Sequence, residues 1–417
     1  MEKLFIGFKQ PNISDQTMSE QSIPRQRPSH MHNQELGAVT KSIVGWELPL
    51  YYESNNTIGE FDIPTHLDEP TTIGAEVLST RKHVGINDGM VVTPVEIWGK
   101  ASTEFVQSVF TNDMDMDVGR TRYTLLLNND SNYLGDVVVS RLDKKRYFMF
   151  TAPSQVSYQI EWLREHSPEG VCITNEDNSY TCIGLYGPEA KNVIEKIVDV
   201  DMSRDNFPYF SNMELDISGI PTIANAVSYI GEYGWELWTQ SGHQPKLWEK
   251  LMQTGQDHGI TPFGYIALFS MSVEKGYSPY ETNLTQKIDM VAPANTPAEA
   301  NLDHVVDLDT DFIGKEALQD AMSDGIKKQL CCITMEASNV LPELGSSVYI
   351  DEKEVGEVIR SDYGYTVQEN IVYSYLPIDF TSPGTKVEID TDSHRHIATV
   401  REEPLYDPEN KRMRNEP

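Results

Sequence analysis

The sequence predicts an α+β fold with two related lobes, followed by a small all-β domain. Strand–helix–strand patterns occur at two places before residue 323, which indicates two similar α+β units. After about Lys327 the pattern changes to short strands separated by turns that contain glycine or proline, which favours a barrel or sandwich. We therefore expect an α+β region over residues 36–322 and an all-β domain over residues 327–408. A chain of 417 residues accommodates two or three domains.

Tails are expected at both ends of the chain. Residues 1–35 are rich in Gln, Ser, Pro and Asn and lack hydrophobic periodicity, which is typical of a flexible segment. Residues 409–417 form a short second tail. The N-terminal apolar patch, Leu4–Phe8, has no basic segment before it and no cleavage site after it. The sequence therefore predicts no signal peptide and a cytoplasmic protein.

The first lobe combines amphipathic helices with a β-hairpin. Its predicted helices are Ile73–His83, Ser102–Phe110 and Val156–His166. Its predicted strands are Val91–Trp98, Tyr123–Leu127, Tyr133–Arg141 and Arg146–Thr151. The residues between Leu127 and Tyr133 are all turn formers, so the second and third of these strands should form a hairpin.

The second lobe repeats this composition, and the C-terminal domain is built from strands alone. The predicted strands of the lobe are Thr181–Tyr186, Met213–Ile217, Thr222–Ala226 and Glu236–Thr239, and its helices are Glu189–Val198 and Gln244–His258. The predicted strands of the C-terminal domain are Cys331–Met335, Ser347–Ile350, Glu354–Arg360, Ile371–Tyr375, Lys386–Ile389 and Ile397–Val400.

The composition argues against several classes of partner. The chain has 33 Lys and Arg against 64 Asp and Glu, a formal charge of −31. Nucleic acids and anionic membranes both require a basic footprint, so neither is an expected partner. The acidity also suggests a protein adapted to high salt, where screening removes the self-repulsion of such a surface. His394 and His396 should point to opposite faces of a strand, and no metal site is expected.

Three segments contain candidate functional residues. Asp136 lies just past the turn of the predicted hairpin, where its carboxylate is either a turn acid or a partly buried functional group. The segment from Ser228 to Trp238 combines two glycines, four aromatic residues and two carboxylates. Flat apolar faces beside an acceptor-only carboxylate suit a pterin or a purine. The third segment, Ser272–Glu281, leads into a long irregular stretch that ends at Ala300, which favours a functional loop.

Several blocks resemble the folate-dependent aminomethyltransferase superfamily, whose type member is the glycine cleavage T-protein. The resemblance extends from about Leu36 to Pro408. The blocks are Gly45-Trp46-Glu47-Leu48-Pro49, Gly119-Arg120-Thr121-Arg122-Tyr123-Thr124, Leu185-Tyr186-Gly187-Pro188, Tyr229-Ile230-Gly231-Glu232-Tyr233-Gly234-Trp235-Glu236 and Asp311-Phe312-Ile313-Gly314-Lys315-Glu316-Ala317-Leu318. Each block is short, but they occur in the family's order and with fitting spacing.

The resemblance implies a ring of three domains around a central channel that binds tetrahydrofolate. It implies that Glu236 binds the pterin ring and that Tyr123 and Tyr229 line the folate site. Tyr233 and Trp235 belong to the same aromatic loop and are expected to contribute to cofactor binding. Asp136 and Tyr229 are the candidate catalytic residues, and Tyr233 and Tyr277 are alternative proton donors.

Two departures from the family pattern bear on the reaction. The Asp-Asp pair expected at the hairpin is Gly135-Asp136 here, so only its second acid remains. An expected arginine is replaced by Ser272, although Glu274 is kept. These changes favour the relatives that move a methyl group from a methyl ether or sulfonium donor to tetrahydrofolate, acting as demethylases.

Three other interpretations stay open. The chain could be an aminomethyltransferase of glycine cleavage, with a lipoyl carrier protein as partner. It could be a non-enzymatic folate-binding regulator, although the Lys-Gly-Cys-Tyr motif of that branch is Lys275-Gly276-Tyr277 here. It could also be the stand-alone transferase part of a fused-oxidase relative, and the sequence contains no flavin motif.

Overall fold

A computed structural model describes residues 24–57, 61, 63, 71–88, 92–277, 296–323, 325–336, 340–391 and 394–414. The predicted functional loop beyond Tyr277 therefore falls mainly outside the described residues. Within the described ranges no helix is both long and apolar enough to cross a membrane.

The region before residue 324 contains both sheets and helices. Its strands are β1 (Arg25–Gln26), β2 (Ala38–Ile43), β3 (Trp46–Tyr52), β4 (Val84–Asn87), β5 (Thr93–Gly99), β6 (Thr121–Leu127), β7 (Tyr133–Asp143), β8 (Arg146–Thr151), β9 (Val171–Asn175), β10 (Tyr180–Tyr186), β11 (Asn212–Asp216), β12 (Pro221–Asn225), β13 (Gly234–Gln240) and β14 (Ile260–Pro262). Its helices are α1 (His30–Glu35), α2 (Thr71–Lys82), α3 (Ser102–Val109), α4 (Val156–His166), α5 (Ala190–Ile194), α6 (Gln244–Gly255), α7 (Tyr265–Glu274) and α8 (Lys315–Ser323).

Two sheets form the centre of this region. One has six strands in the order β11-β12-β13-β10-β4-β14, and the other has five in the order β6-β7-β8-β5-β9. Because β4 precedes the five-stranded sheet in sequence but belongs to the six-stranded one, the two lobes are interleaved along the chain. Each sheet has an outer core, with α5 and α6 over the six-stranded sheet and α3 and α4 over the five-stranded sheet.

The inner faces of the two sheets share a third core. Phe148 and Phe150 on β8 pack against residues of the six-stranded sheet, and the rings of Phe150 and Trp238 have centroids 4.6 Å apart. Side chains of α2 and α7 complete this layer. Because side chains alternate along a strand, every second residue of β7, β10, β12 and β13 points into the space between the sheets.

The C-terminal region forms a closed barrel. Its strands are β15 (Lys328–Met335), β16 (Ser347–Ile350), β17 (Lys353–Gly364), β18 (Glu369–Pro377), β19 (Lys386–Asp390) and β20 (Arg395–Arg401), and a short helix, α9 (Lys411–Arg414), follows. The order is β15-β18-β17-β16-β19-β20, and β20 pairs with β15 to close the barrel. The predicted α+β class with two lobes and a C-terminal all-β barrel is confirmed.

The prediction of a flexible tail up to residue 35 is wrong for the described part of that segment. β1 pairs with β3, and α1 packs against the six-stranded sheet region through polar contacts. The buried carboxylate of Asp88 accepts hydrogen bonds from Ser29, from Asn33 at 2.8 Å and from Gln244. A buried carboxylate requires such donors, so polar residues fix this segment and hydrophobic periodicity cannot reveal it.

Candidate functional site

Glu236 lies on the inner face of the six-stranded sheet, near the start of β13. Glu236 and Trp238 point toward the other sheet, whereas Trp235 and Leu237 point into the outer core. Oε2 of Glu236 accepts a hydrogen bond from Nε1 of Trp238 at 3.2 Å. Burial raises the pKa of the Glu236 carboxyl to about 7, and this single bond lowers it only in part. Among the described residues, this buried carboxyl is therefore incompletely hydrogen-bonded.

Polar and small residues flank Glu236 on the neighbouring strands. Asn225 of β12 and Gly184 of β10 are its register partners. A Cβ on Gly184 would lie 2.5 Å from Cε2 of Tyr186, so the Tyr186 ring covers Gly184 beside Glu236. The hydroxyl of Tyr186 and Nδ2 of Asn225 are buried and have no hydrogen-bond partner among the described residues. These unsatisfied groups indicate that a polar ligand belongs on this face.

Aromatic rings surround this polar patch. Tyr229 and Tyr277 stack with centroids 6.2 Å apart at an interplanar angle of 22°, and Phe269 meets Tyr229 edge-on. Tyr209 hydrogen-bonds to Tyr277, and burial raises the pKa of Tyr209 to about 12. Burial also raises the pKa of Tyr277. These phenols are therefore neutral hydrogen-bonding groups near pH 7.

Asp136 lies on β7, on the inner face of the five-stranded sheet. Its Oδ2 accepts a hydrogen bond from the Tyr123 hydroxyl at 2.7 Å, and its Oδ1 accepts one from the Tyr133 hydroxyl. Phe312 and Leu318 of the Asp311–Leu318 block pack beneath both tyrosines. The hairpin therefore holds Asp136 by both oxygens, and Tyr133 is a contact that the sequence did not predict.

One hydrogen bond joins the two polar faces. Ser140, four residues after Asp136 on β7, donates to Oδ1 of Asn225 at 3.2 Å. Four residues of strand span about 13 Å, so Asp136 and the Asn225–Glu236 pair lie at different depths of the same inter-sheet space. Within the described residues no hydrogen bond or ion pair joins Asp136 to Glu236.

The structure does not bring two of the predicted cofactor-binding residues to this face. Tyr233 and Trp235 are 1% and 0% exposed and lie in the outer core of the six-stranded sheet. The Tyr233 hydroxyl donates to the carbonyl oxygen of Met202 at 2.7 Å, and the guanidinium of Arg204 lies over the Tyr233 ring. The expectation that both residues bind the cofactor is therefore wrong. It treated the segment as a loop, whereas a strand begins at Gly234 and its side chains alternate between the two faces of the sheet.

The two departures noted in the sequence have structural explanations. A Cβ on Gly135 would lie 2.0 Å from Nε2 of Gln159, on the α4 side of the sheet, so an acid there would clash and would also point away from Asp136. At the second position, Arg360 of the barrel donates from Nη2 to Oγ of Ser272 at 3.0 Å. A guanidinium is thus present beside Ser272, but it comes from β17.

Comparison with protein families identifies the chain. A model described as the GCVT N-terminal domain matches residues 29–310, and one described as the glycine cleavage T-protein C-terminal barrel domain matches residues 328–407. The chain belongs to the glycine cleavage T-protein family.

Curated relatives of this T-protein family member include two kinds of protein. Mouse (Mus musculus) mitochondrial dimethylglycine dehydrogenase is 29% identical over 89% of this chain but 42% of its own length. The chain thus spans about two-fifths of that relative. An aminomethyltransferase of Anoxybacillus flavithermus is 28% identical over 89% of this chain and 96% of its own length. The glycine cleavage system aminomethyltransferase T of Bartonella henselae has the same fold, with a TM-score of 0.78 at 20% identity over 93% of this chain and 99% of its own.

Proposed function

We propose that this protein transfers a one-carbon unit from a nitrogen-bearing donor to tetrahydrofolate. The observation that carries the proposal is the incompletely satisfied face around Glu236, opposite the Asp136 hairpin. A buried carboxylate and buried unpaired donors are costly in an isolated protein, and a bound heterocycle with N–H groups and acceptors removes that cost. The pterin of tetrahydrofolate has both kinds of group.

Glu236 would hold the pterin, and the tyrosines would enclose it. An ionised carboxylate accepts two parallel N–H bonds, so Glu236 suits the amino group and the neighbouring ring N–H. Tyr229 and Tyr277 supply a stacked aromatic wall next to it. Tyr123 lies by the Asp136 end of the space, where it orients the acid. Tyr233 and Trp235 have no part in this proposal.

Asp136 would act on charge that develops during the transfer. Tetrahydrofolate supplies two amine nitrogens that take up the carbon of an aminomethyl thioether as a methylene bridge, while the thiol and ammonia leave. Tyr123 and Tyr133 fix both oxygens of Asp136, so the carboxylate needs no reorganisation to stabilise a cationic nitrogen. Of the predicted proton donors, Tyr229 packs against the core that the two sheets share.

The relatives and the two explained departures support a donor that carries its carbon on nitrogen. Aminomethyltransferase and dimethylglycine dehydrogenase are both named for one-carbon groups on nitrogen. A side chain at position 135 would point away from Asp136, and Arg360 places a guanidinium beside Ser272. Neither change therefore favours a methyl ether or sulfonium donor. We therefore favour an aminomethyl donor, presented by a lipoyl-bearing carrier protein, over the demethylase reaction.

A product assay tests the proposal. The enzyme, tetrahydrofolate and an aminomethylated lipoyl carrier should yield 5,10-methylenetetrahydrofolate and ammonia. Parallel reactions with methyl ethers and sulfonium compounds should yield no 5-methyltetrahydrofolate. The opposite pattern would establish the demethylase reaction, and folate binding without any transfer would favour a regulator.

The same assay should include a second class of donor, a one-carbon unit released by amine oxidation. The reason is the likeness to dimethylglycine dehydrogenase, which covers 89% of this chain. In that reaction a separate amine-oxidising enzyme supplies the carbon at the oxidation level of formaldehyde. Methylene transfer could depend on this partner and proceed without the lipoyl carrier. That result would identify the chain as the transferase component of a two-protein system.

A further inference from the structure

The inner face of the six-stranded sheet carries a polar row at the level of Glu236. The row consists of successive register partners on five strands, namely Asn212, Asn225, Glu236, Gly184 and Asn87. Nδ2 of Asn212 donates to Arg120 O and Nδ2 of Asn87 donates to Phe263 O, each within 2.8 Å. Nδ2 of Asn225 has no partner among the described residues, although Asn225 is 0% exposed. The unpaired amide is thus the one directly beside Glu236.

The orientation of the Asn225 amide is determined by the opposite sheet. The Ser140 hydroxyl donates to Oδ1 of Asn225, so Nδ2 is the end that remains for a ligand. On the other side of Glu236, the Tyr186 ring lies over Gly184 and its buried hydroxyl is also unpaired within the described ranges. The carboxyl of Glu236 is close enough to raise the pKa of Tyr186 further, after burial, so this hydroxyl is a donor at any ordinary pH.

We propose that Asn225 and Tyr186 flank Glu236 as two hydrogen-bond donors and select the 2-amino-4-oxo edge of the pterin. This inference rests on the proposed function. That edge presents an acceptor, two N–H donors and a second acceptor in sequence, namely the 4-oxo oxygen, the N3–H, the 2-amino group and N1. Glu236 takes the two central donors, and Asn225 Nδ2 and the Tyr186 hydroxyl take one flanking acceptor each.

The array should reject a 4-amino pteridine. Replacing the 4-oxo group by an amino group turns a flanking acceptor into a donor and turns N3 into an acceptor. A donor of the protein would then face a donor of the ligand, and the Glu236 carboxylate would face a lone pair. Sites built to bond a polar group discriminate strongly against analogues that leave the buried groups unpaired.

Folic acid and aminopterin form a matched pair of ligands because they differ only in this substituent. Calorimetric titration at about pH 8.5, where Glu236 is ionised, should show folic acid bound about 100-fold more tightly than aminopterin. Asn225→Leu and Tyr186→Phe should each weaken folic acid binding about 3- to 10-fold. The double variant should reduce the preference for folic acid to less than about 10-fold.

Tyr233→Phe is the matched control for Tyr186→Phe. Both changes remove one buried hydroxyl from the same sheet, but the Tyr233 hydroxyl is paired and lies on the outer face. Tyr233→Phe should lower the melting temperature and leave both ligand affinities unchanged. Tyr186→Phe should leave the melting temperature of the free protein unchanged or raise it, because the hydroxyl that it removes has no partner among the described residues.

The outcomes separate this inference from the proposed function. If 5-formyltetrahydrofolate fails to bind the wild-type protein, the proposed function falls and the inference with it. If Glu236→Gln weakens binding of that ligand while the two flanking variants keep the wild-type preference for folic acid, the folate site stands and the inference is overturned. A wild-type protein that binds folic acid and aminopterin equally well would also overturn it.

Discussion

Glu232 and Glu236 lie four residues apart, are 1% and 7% exposed, and have opposite environments. Glu232 belongs to a buried ion cluster: Arg81 donates to it at 3.0 Å, Tyr406 at 2.7 Å, and Nε of Arg412 lies 3.2 Å away. Within the part of the chain that the structure describes, Glu236 accepts one hydrogen bond, from Trp238. Burial of an acid alone therefore does not mark a ligand site, whereas burial with incomplete pairing does.

The cluster around Glu232 is a structural element that joins distant parts of the chain. Arg81 of α2 also donates to Glu274 of α7 at 2.9 Å, and Glu274 accepts the main-chain N–H of Thr366 in the barrel. Both acids of the cluster are paired with arginine within the protein, so neither needs a ligand to balance its charge.

Arg81→Met should cause the largest loss of stability. It leaves Glu232 and Glu274 buried without the cation that lies between them, and breaking such a pair costs about 3–5 kcal/mol. Denaturant titration measures the free energy of unfolding. A variant as stable as wild type would mean that Arg412 and water suffice, and the distinction between the two acids would lose its basis.

Asp136→Asn should remove most of the transfer rate without affecting folate binding. The amide keeps the size of the side chain but removes the charge that Tyr123 and Tyr133 position, so the rate constant should fall about 100- to 1000-fold. Single-turnover kinetics with saturating folate measure this step. An equal loss of folate affinity would assign Asp136 to binding, like Glu236.

Glu236→Gln should stabilise the ligand-free protein while weakening its ligand. The folded-state pKa of about 7 lies above the ordinary value of 4.5, so the unfolded state releases its proton first and stability falls as pH rises from about 4.5 to 7. Above pH 7 the cost is about 3 kcal/mol, and the amide avoids it. Glu232→Gln is the matched control and should destabilise the protein at the same pH, because it weakens the bonds to Arg81 and Arg412.

Folate affinity in the wild-type protein should depend on pH with an apparent pKa near 7. Glu236 must be ionised to accept two N–H groups, so affinity should fall about tenfold per pH unit below 7 and level off above it. Titrations between about pH 5.5 and 8.5 measure the profile. The Glu236→Gln variant should show a flat profile, and a sloping one would assign the titration to another group.

The sequence predicted the acids of the site better than their neighbours. Short motifs contain the four residues Glu236, Asp136, Tyr123 and Tyr229. The local sequence pattern is therefore enough to propose them as site residues. Tyr233 and Trp235 were misassigned, because Trp235 points to the outer face by the alternation of β13 and Tyr233, just before that strand, packs into the same outer core. Asn225 and Tyr186 come from two other strands, and their proximity to Glu236 depends on a register that a single sequence does not reveal.

The departures from the family pattern show the same limit. The missing acid at Gly135 and the missing arginine at Ser272 are local absences, and both suggested a different reaction. The first position is filled from α4 by Gln159, and the second is served by Arg360, 88 residues away. A residue type that is missing at one position therefore does not by itself indicate a change of chemistry.

Arg360 also determines how far the barrel can be treated as a module. From β17 its guanidinium donates hydrogen bonds to three oxygens in the α7 region, the carbonyls of Phe269 and Tyr277 and the hydroxyl of Ser272. A barrel transplanted from a relative without a guanidinium at this place would leave three acceptors without their donor. Chimeras of this family should therefore exchange the barrel together with the end of α7.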